Sequence, residues 1–325
     1  MTPRISVIIP ARDEAARLPR SLESLRRQTL PSSAYEVIVV DDGSRDSTAE
    51  IAEAAGARVL SQANRGPASA RNAGAQVALG ELLVFTDADC EAAPDFLAEI
   101  ARAFEDPAIA GAMGAYRSKQ RQRVARFVQA EFDFKQRRMA RMRTINTVHT
   151  YAGAYRREVF LATGGFDERY PIPSNEDQEL SYRLAGHGHT MVFEPDAVVF
   201  HLHDRTLAEY IRRKFWLGYW KAYTLSKHPR HIRGDSHTPR SQMVQIALAL
   251  PTLIAGLLAP LSPLAAGVAW GLAAAFTLSA LPFVAYVLRQ APGLAWMVPG
   301  MTVVRAIAQA AGLLFGFLKV ATWRR

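Results

Sequence analysis

Between Arg240 and Arg289 lie forty-eight residues, Ser241 to Leu288, without a single Asp, Glu, Lys or Arg. A bilayer core of about 30 Å takes roughly 20 apolar residues per helix. The run therefore predicts two spanning helices, over 241–261 and 264–288, turned at Ser262-Pro263. A third apolar stretch, 294–318, is long enough to span although it contains Pro299, Arg305 and Gln309. Three spans are expected. Whatever the first 240 residues do, they do it beside a membrane.

The charge distribution agrees. Of the net +9, Arg121–Arg143 carries eight Lys/Arg against two acids, and Arg205–Arg240 carries nine against two. Basic chains raise nucleic acid as a partner. Here, however, the positive charge flanks an apolar run, which fits anionic membrane lipids instead. In Arg121–Arg143 the arginines interleave with Val124, Phe127, Val128, Phe132 and Phe134, the pattern of an interfacial helix that buries rings and lifts its charges to water. Lys/Arg beside a span are retained on the cytoplasmic side, so the soluble part is expected at the cytoplasmic face of the inner membrane. By the same tendency a third span would leave Lys319, Arg324 and Arg325 on the disfavoured side. Ile5–Pro10 is too short for a signal-peptide core and is followed at once by Arg12, Asp13 and Glu14. The lone cysteine, Cys90, excludes an internal disulfide, fits a reducing compartment and reads as packing.

Upstream of the apolar run, short β-branched segments alternate with helical patterns. Ile5–Ile9, Val37–Val40, Ala57–Leu60 and Leu82–Phe85 read as strands. Ala15/Leu18/Leu22/Leu25, Ser47–Ala55 and Pro67–Leu79 read as helices. Such alternation predicts an α/β domain with a parallel sheet covered by helices. Ligands of such sheets sit beyond the carboxyl ends of the strands, which here means Pro10–Glu14, Asp41–Ser44 and Asp87–Asp89. All three loops are acidic, and neither G-x-G-x-x-G nor G-x-x-x-x-G-K-[ST] occurs. A dinucleotide dehydrogenase and a P-loop NTPase are thereby disfavoured. Converging carboxylates suggest a hard divalent cation bridging them to a diphosphate.

The strings Ile5-Ser-Val-Ile-Ile-Pro-Ala-Arg-Asp-Glu14, Val39-Val-Asp-Asp-Gly-Ser44, Asn64-Arg-Gly-Pro-Ala-Ser-Ala-Arg-Asn72 and Phe85-Thr-Asp-Ala-Asp89 follow one another in this order. Gly164-Gly-Phe-Asp167 and Asn175-Glu-Asp177 come after them. Together they resemble the family 2 glycosyltransferases of the GT-A fold over roughly residues 4–203. The resemblance implies a Rossmann-like nucleotide-sugar-binding domain, expected over 1–205. A basic amphipathic juxtamembrane segment, 206–240, and the transmembrane region, 241–325, would follow it.

By the same resemblance, Asp89 and Asp87 hold Mg²⁺ or Mn²⁺ against the diphosphate of a nucleotide-sugar, with Asp87 nearer the ribose and sugar. His201, at the end of an expected strand Ala197–Phe200, completes the metal or diphosphate site. Asp42 accepts a hydrogen bond from the base, Pro10 and Glu14 line base and ribose, and Arg71 contacts base or diphosphate unless it is a structural ion pair. Asp13 stands where many relatives carry Asn. Asp177 is the general base. Its helical spacing to Leu180 and Leu184 points it inward, while Ser174-x-x-Asp177 also fits a capping box.

The Gln-x-x-Arg-Trp motif of processive relatives is replaced by Arg212-Arg-Lys-Phe-Trp216, which favours transfer of a single sugar over polymer synthesis. The expectation is thus an inverting, metal-dependent transferase moving one sugar, most readily from a UDP-sugar, to a lipid-linked or glycan acceptor, with no nucleic acid. The alternatives are a polyprenyl-phosphate sugar synthase and a non-catalytic nucleotide-sugar-binding membrane protein.

Overall fold

The structure, a computed structural model, describes residues 2–323. The chain divides into two compact units: the first takes the chain up to Lys119 together with Gln136–Leu202, the second Gln120–Lys135 together with the chain from His203 onward. Contact thus assigns Gln120–Lys135 to the second unit, away from its sequence neighbours.

In the first unit eight strands, β1 (Ile5–Ala11), β2 (Tyr35–Asp41), β3 (Arg58–Ser61), β4 (Leu82–Phe85), β5 (Glu91–Ala92), β6 (Ile109–Arg117), β7 (Gly153–Arg156) and β8 (Thr190–Phe200), form one sheet in the order β3-β2-β1-β4-β7-β6-β8-β5. The four expected strands pair in parallel, Ile5 opposite Tyr35 and Leu82, and Ile38 opposite Arg58. β6 and β8 also pair in parallel, but β5 and β7 correct the expectation of a parallel sheet. β7 runs antiparallel to both β4 and β6, and β5 antiparallel to β8. A sheet with both faces covered reads as an unbroken apolar run, and Val7, Ile8, Ile9, Val39 and Val40 are fully buried. Ile8, Ile38, Leu83 and Phe85 form a core with Phe160, Phe166 and Leu180. The β1–β4 ladder stops at the Ile8–Phe85 pair. Pro10, which has no N–H to donate, sits just past that end and costs no ladder bond. The sheet therefore opens at its carboxyl edge, where Asp87 and Asp89 follow β4.

The second unit contains three helical stretches long and apolar enough to cross a membrane by length and composition, Arg240–Leu261, Pro263–Gln290 and Pro292–Lys319. The third is 44% buried against 11% and 17% for the others. The reason is close packing on the helix Leu207–Lys227. A Cβ on Gly218 would lie 2.3 Å from the Gln309 carbonyl oxygen, and one on Gly312 2.0 Å from that of Phe215. Small residues let helix backbones meet in this way. The helix Arg123–Met139, expected at an interface, buries Phe127 and Val128 against Tyr210, Phe283 and Val287. Arg324 and Arg325 lie outside the described residues.

Candidate active site

The carboxyl ends of β1, β2 and β4 bring the acidic loops together. Asp13 adopts φ 54°, the left-handed region that Asn and Asp enter more readily than other side chains. Its carboxylate accepts from the Arg45 amide at 2.8 Å and its own amide donates to Ser44 Oγ at 3.0 Å. At Gly43, φ is 75° and a Cβ would approach the Asn64 nitrogen to 3.0 Å, so the Asp-Gly turn requires glycine. Asp42, 4% exposed, accepts from Gln62 Nε2 and from the Arg65 and Gly66 amides, each at 2.8 Å. These bonds hold the 62–66 loop against β2, and a base would have to share them.

Arg71 makes two ion pairs within the first unit. It is 2% exposed, with its guanidinium donating to Asp87 Oδ1 at 2.7 Å and Glu176 Oε1 at 2.9 Å. Two carboxylates in a dry environment compete for one cation, and the charge-assisted bonds hold it inward. Arg71 thereby ties the loop after β4 to the start of the helix Glu176–Gly186.

Asp87, Asp89, Cys90 and His201 each place a potential ligand atom within 4.8 Å of the others. His201 Nε2 lies 3.1 Å from Asp89 Oδ1, and its Nδ1 is bonded to the Tyr116 hydroxyl. Burial works against ionisation of Asp89, but the hydrogen bond and charge of His201 prevail, and its carboxyl lies below its ordinary value. Burial pushes the Cys90 thiol well above its own. Carboxylate oxygens and an imidazole nitrogen, beside a thiol held protonated, make a donor set for a hard divalent cation. Nearby, Glu14 Oε2 is buried with no hydrogen-bonding partner among the described residues. Burial raises the Glu14 carboxyl, Arg17 opposes, and the charges of Asp89, Asp46 and Asp87 add to the rise. A group of acids this short of positive charge fits a cation that neutralises it.

Asp177 is 7% exposed in the first turn of the helix Glu176–Gly186, on the face of the fully buried Leu180 and Leu184. The capping box does not form. The N-cap is Asn175, whose side chain makes no capping bond, and Asp177 turns its Oδ2 to His149 Nδ1 at 2.7 Å. His149 stacks on Tyr151 (centroids 5.5 Å, 17°) and Tyr151 on Tyr116 (4.3 Å, 27°), the tyrosine bonded to His201. One continuous row of rings thus joins the carboxylate of Asp177 to the ligand cluster at Asp89. His149, Tyr151 and Tyr116 escaped the sequence reading because none stands in a local period or motif. The only available signal was a run of polar and aromatic residues, Asn146–Tyr151, outside any predicted element.

Residues 6–163 match the model of glycosyl transferase family 2. The pre-mycofactocin glycosyltransferase of Mycobacterium tuberculosis is 31% identical over 235 residues, covering 69% of this chain and 48% of that protein. The validoxylamine A glucosyltransferase of Streptomyces hygroscopicus is 30% identical over 226 residues, 57% of this chain and 52% of that protein. The chain therefore spans about half the length of these curated relatives. Among solved structures, a mannosyltransferase from Pyrobaculum calidifontis, in complex with GDP-Man and Mn²⁺, superposes with a TM-score of 0.60 at 20% identity, covering 100% of this chain and 89% of that one. That likeness makes the fold GT-A-like, a mixed α/β sheet followed by apolar helices. With the family model matching the stretch that carries β1 to β7 and the acidic loops, the chain belongs to the family 2 glycosyltransferases.

Proposed function

We propose that the chain transfers a single sugar from a nucleotide-sugar, a UDP-sugar foremost, to a lipid-linked acceptor at the cytoplasmic leaflet of the inner membrane, with inversion at the anomeric carbon. The observation that carries this reading is the cluster of Asp87, Asp89 and His201 beyond the carboxyl edge of the sheet. These residues would hold Mg²⁺ or Mn²⁺, which when bound offsets the charge of a diphosphate leaving group. The Mn²⁺ in the mannosyltransferase complex supports that choice by likeness.

Asp177 supplies the base. It accepts the proton of the acceptor hydroxyl as that oxygen bonds to the anomeric carbon. The bond from that carbon to the diphosphate oxygen breaks on the opposite face. One displacement without an enzyme nucleophile inverts the centre. His149 Nδ1–H donates to Asp177 Oδ2 and fixes the carboxylate's orientation, leaving Oδ1, which accepts from the Gln178 amide at 2.6 Å, as the neighbouring oxygen. Arg71 holds the carboxylates of Asp87 and Glu176 in place without entering the reaction. The three apolar helical stretches and the basic segments would keep the acceptor's lipid within reach.

The test is release of nucleoside diphosphate from a panel of nucleotide-sugars by the reconstituted full chain, with Mn²⁺, Mg²⁺ or chelator. Activity is expected with metal only. Asp89→Ala should lower it by about 10³-fold or more, since metal stabilisation of a leaving group is worth several kcal/mol. Unchanged turnover of Asp89→Ala in excess chelator would end the metal assignment, and a product of retained configuration would end inversion.

A further inference from the structure

The second unit buries a cluster of charge that glycosyl transfer does not use. Glu131, 2% exposed, accepts from Lys214 Nζ at 3.0 Å, from the Tyr210 hydroxyl at 3.1 Å and from Arg305. One turn further along the same helix, Lys135 is 8% exposed and has no ion pair among the described residues. Its nearest polar neighbour is His237 Nε2, at 3.4 Å. The other acid within its field, Asp235, is engaged by Lys221 at 3.1 Å. Four cations, Lys135, Lys214, Lys221 and Arg305, thus face two carboxylates. A purely structural ion cluster would balance, because an uncompensated buried charge is strongly destabilising.

The imbalance faces a space. A small open-sided pocket is lined by Lys135, Arg305, Glu131, Gln245, Ser241 and Gln242, among others. Arg305 Nε is buried there without a hydrogen-bond acceptor among the described residues. Ser241 and Gln242 belong to the first turn of the helix Arg240–Leu258, which has no acid to complement its positive end. Such a terminus beside lysine and arginine donors is suited to a tetrahedral oxyanion. Burial, and next the charge of Lys214, pull the Lys135 ammonium down to about 7, and the opposing charges of Glu131 and Asp235 do not offset them.

We propose that this cavity, between Lys135, Arg305 and the first turn of the Arg240–Leu258 helix, binds a phosphate group, carried by a membrane lipid headgroup or free in solution. Ser241 opens the charge-free run, so the site lies where the sequence passes from basic to apolar, as at headgroup depth. The inference does not depend on glycosyl transfer.

The experiment uses the full chain in phosphate-free nonionic detergent. Melting temperature and calorimetric affinity are measured with inorganic phosphate against chloride at equal ionic strength. The same is done in nanodiscs of phosphatidylcholine with and without phosphatidylglycerol. Stabilisation by phosphate alone identifies a free-anion site, and stabilisation only by phosphatidylglycerol identifies a headgroup site. Lys135→Met should weaken the anion by about tenfold or more, the worth of one charge-assisted contact, yet melt no lower than wild type without anion. Lys135→Arg should retain the response. Should Lys135→Met fail to fold, Ser241→Asp, favourable to a helix start but repulsive to an anion, should abolish binding. The proposal is overturned if neither phosphate nor phosphatidylglycerol stabilises the wild type, or if Lys135→Met or Ser241→Asp responds as the wild type does.

Discussion

The two units bury charge with opposite deficits. In the first, the buried Arg71 pairs with Asp87 and Glu176, the exposed Arg17 faces Glu14 and Asp89, and a histidine lies against each of Asp89 and Asp177, so the acids outnumber the arginines. In the second, Lys135, Lys214, Lys221 and Arg305 share Glu131 and Asp235. Neither region is neutral by itself, and burial makes each imbalance costly. On the readings proposed above, a cation would complete the first and an anion the second. Deleting a cation should therefore destabilise the first and leave the second as stable as before.

The strongest way to break this comparison is at the base. Asp177→Asn keeps shape and an oxygen that can accept from the Gln178 amide but loses basicity, so stability should hold while turnover falls by about 10²–10⁴-fold. A variant that is destabilised yet active would return Asp177 to a structural role. Next in size is Arg71→Met. It leaves Asp87 and Glu176 without their buried partner and should cost about 3–5 kcal/mol in denaturant unfolding. Lys135→Met in the second unit should cost nothing. Equal losses in the two variants would erase the contrast between the units.

A smaller effect is expected at His149. His149→Phe retains a ring for the Tyr151 stack but removes the bond to Asp177, and loss of an orienting partner of this kind is worth about 10–100-fold. The decrease should appear in kcat with KM for the donor nearly unchanged. A change confined to melting temperature would make the histidine a packing residue.

The smallest effect is a slope in stability. Lys135 has a folded-state value of about 7 against an ordinary 10.5, so between these the unfolded chain binds more protons and stability rises with pH. The gain is lost as pH falls through about 7. Lys214 is shifted the same way by burial, while Glu131 and Asp235 oppose the shift of Lys135 and Arg305 adds to it. The rise should be on the order of 1 kcal/mol per pH unit at most, read as the difference in unfolding free energy between wild type and Lys135→Met from pH 7 to 9. A difference independent of pH would show that Lys135 is not a buried, uncompensated ammonium.

Local pattern determined a large part of this protein. The apolar runs at Ile5–Ile9, Val37–Val40 and Leu82–Phe85 form adjacent parallel strands, because runs in which Ser6 is the one polar residue have no solvated face to offer. The uncharged stretch specified two apolar helices to within a few residues, since helix length follows from residue count. The acidic loops were legible because function at a parallel sheet follows strand ends.

Tertiary structure alone decided the rest. β7, Gly153–Arg156, holds a glycine, an alanine, a tyrosine and an arginine, and carries no strand periodicity. It is a strand because β4 and β6 present unpaired edges to it. Arg71 and Glu176 are separated by 105 residues, and His149 and Asp177 by 28. No window along the sequence contains those pairs, and their partners were fixed by long-range packing. The helix Arg123–Met139 shows the limit most clearly. Its alternating rings and charges suit a lipid surface as well as a protein interior, and only the helices that closed over Phe127 and Glu131 turned a basic stripe into a buried, unbalanced cluster. Periodicity records which face is apolar, whereas the identity of what covers that face depends on contacts distant in the chain.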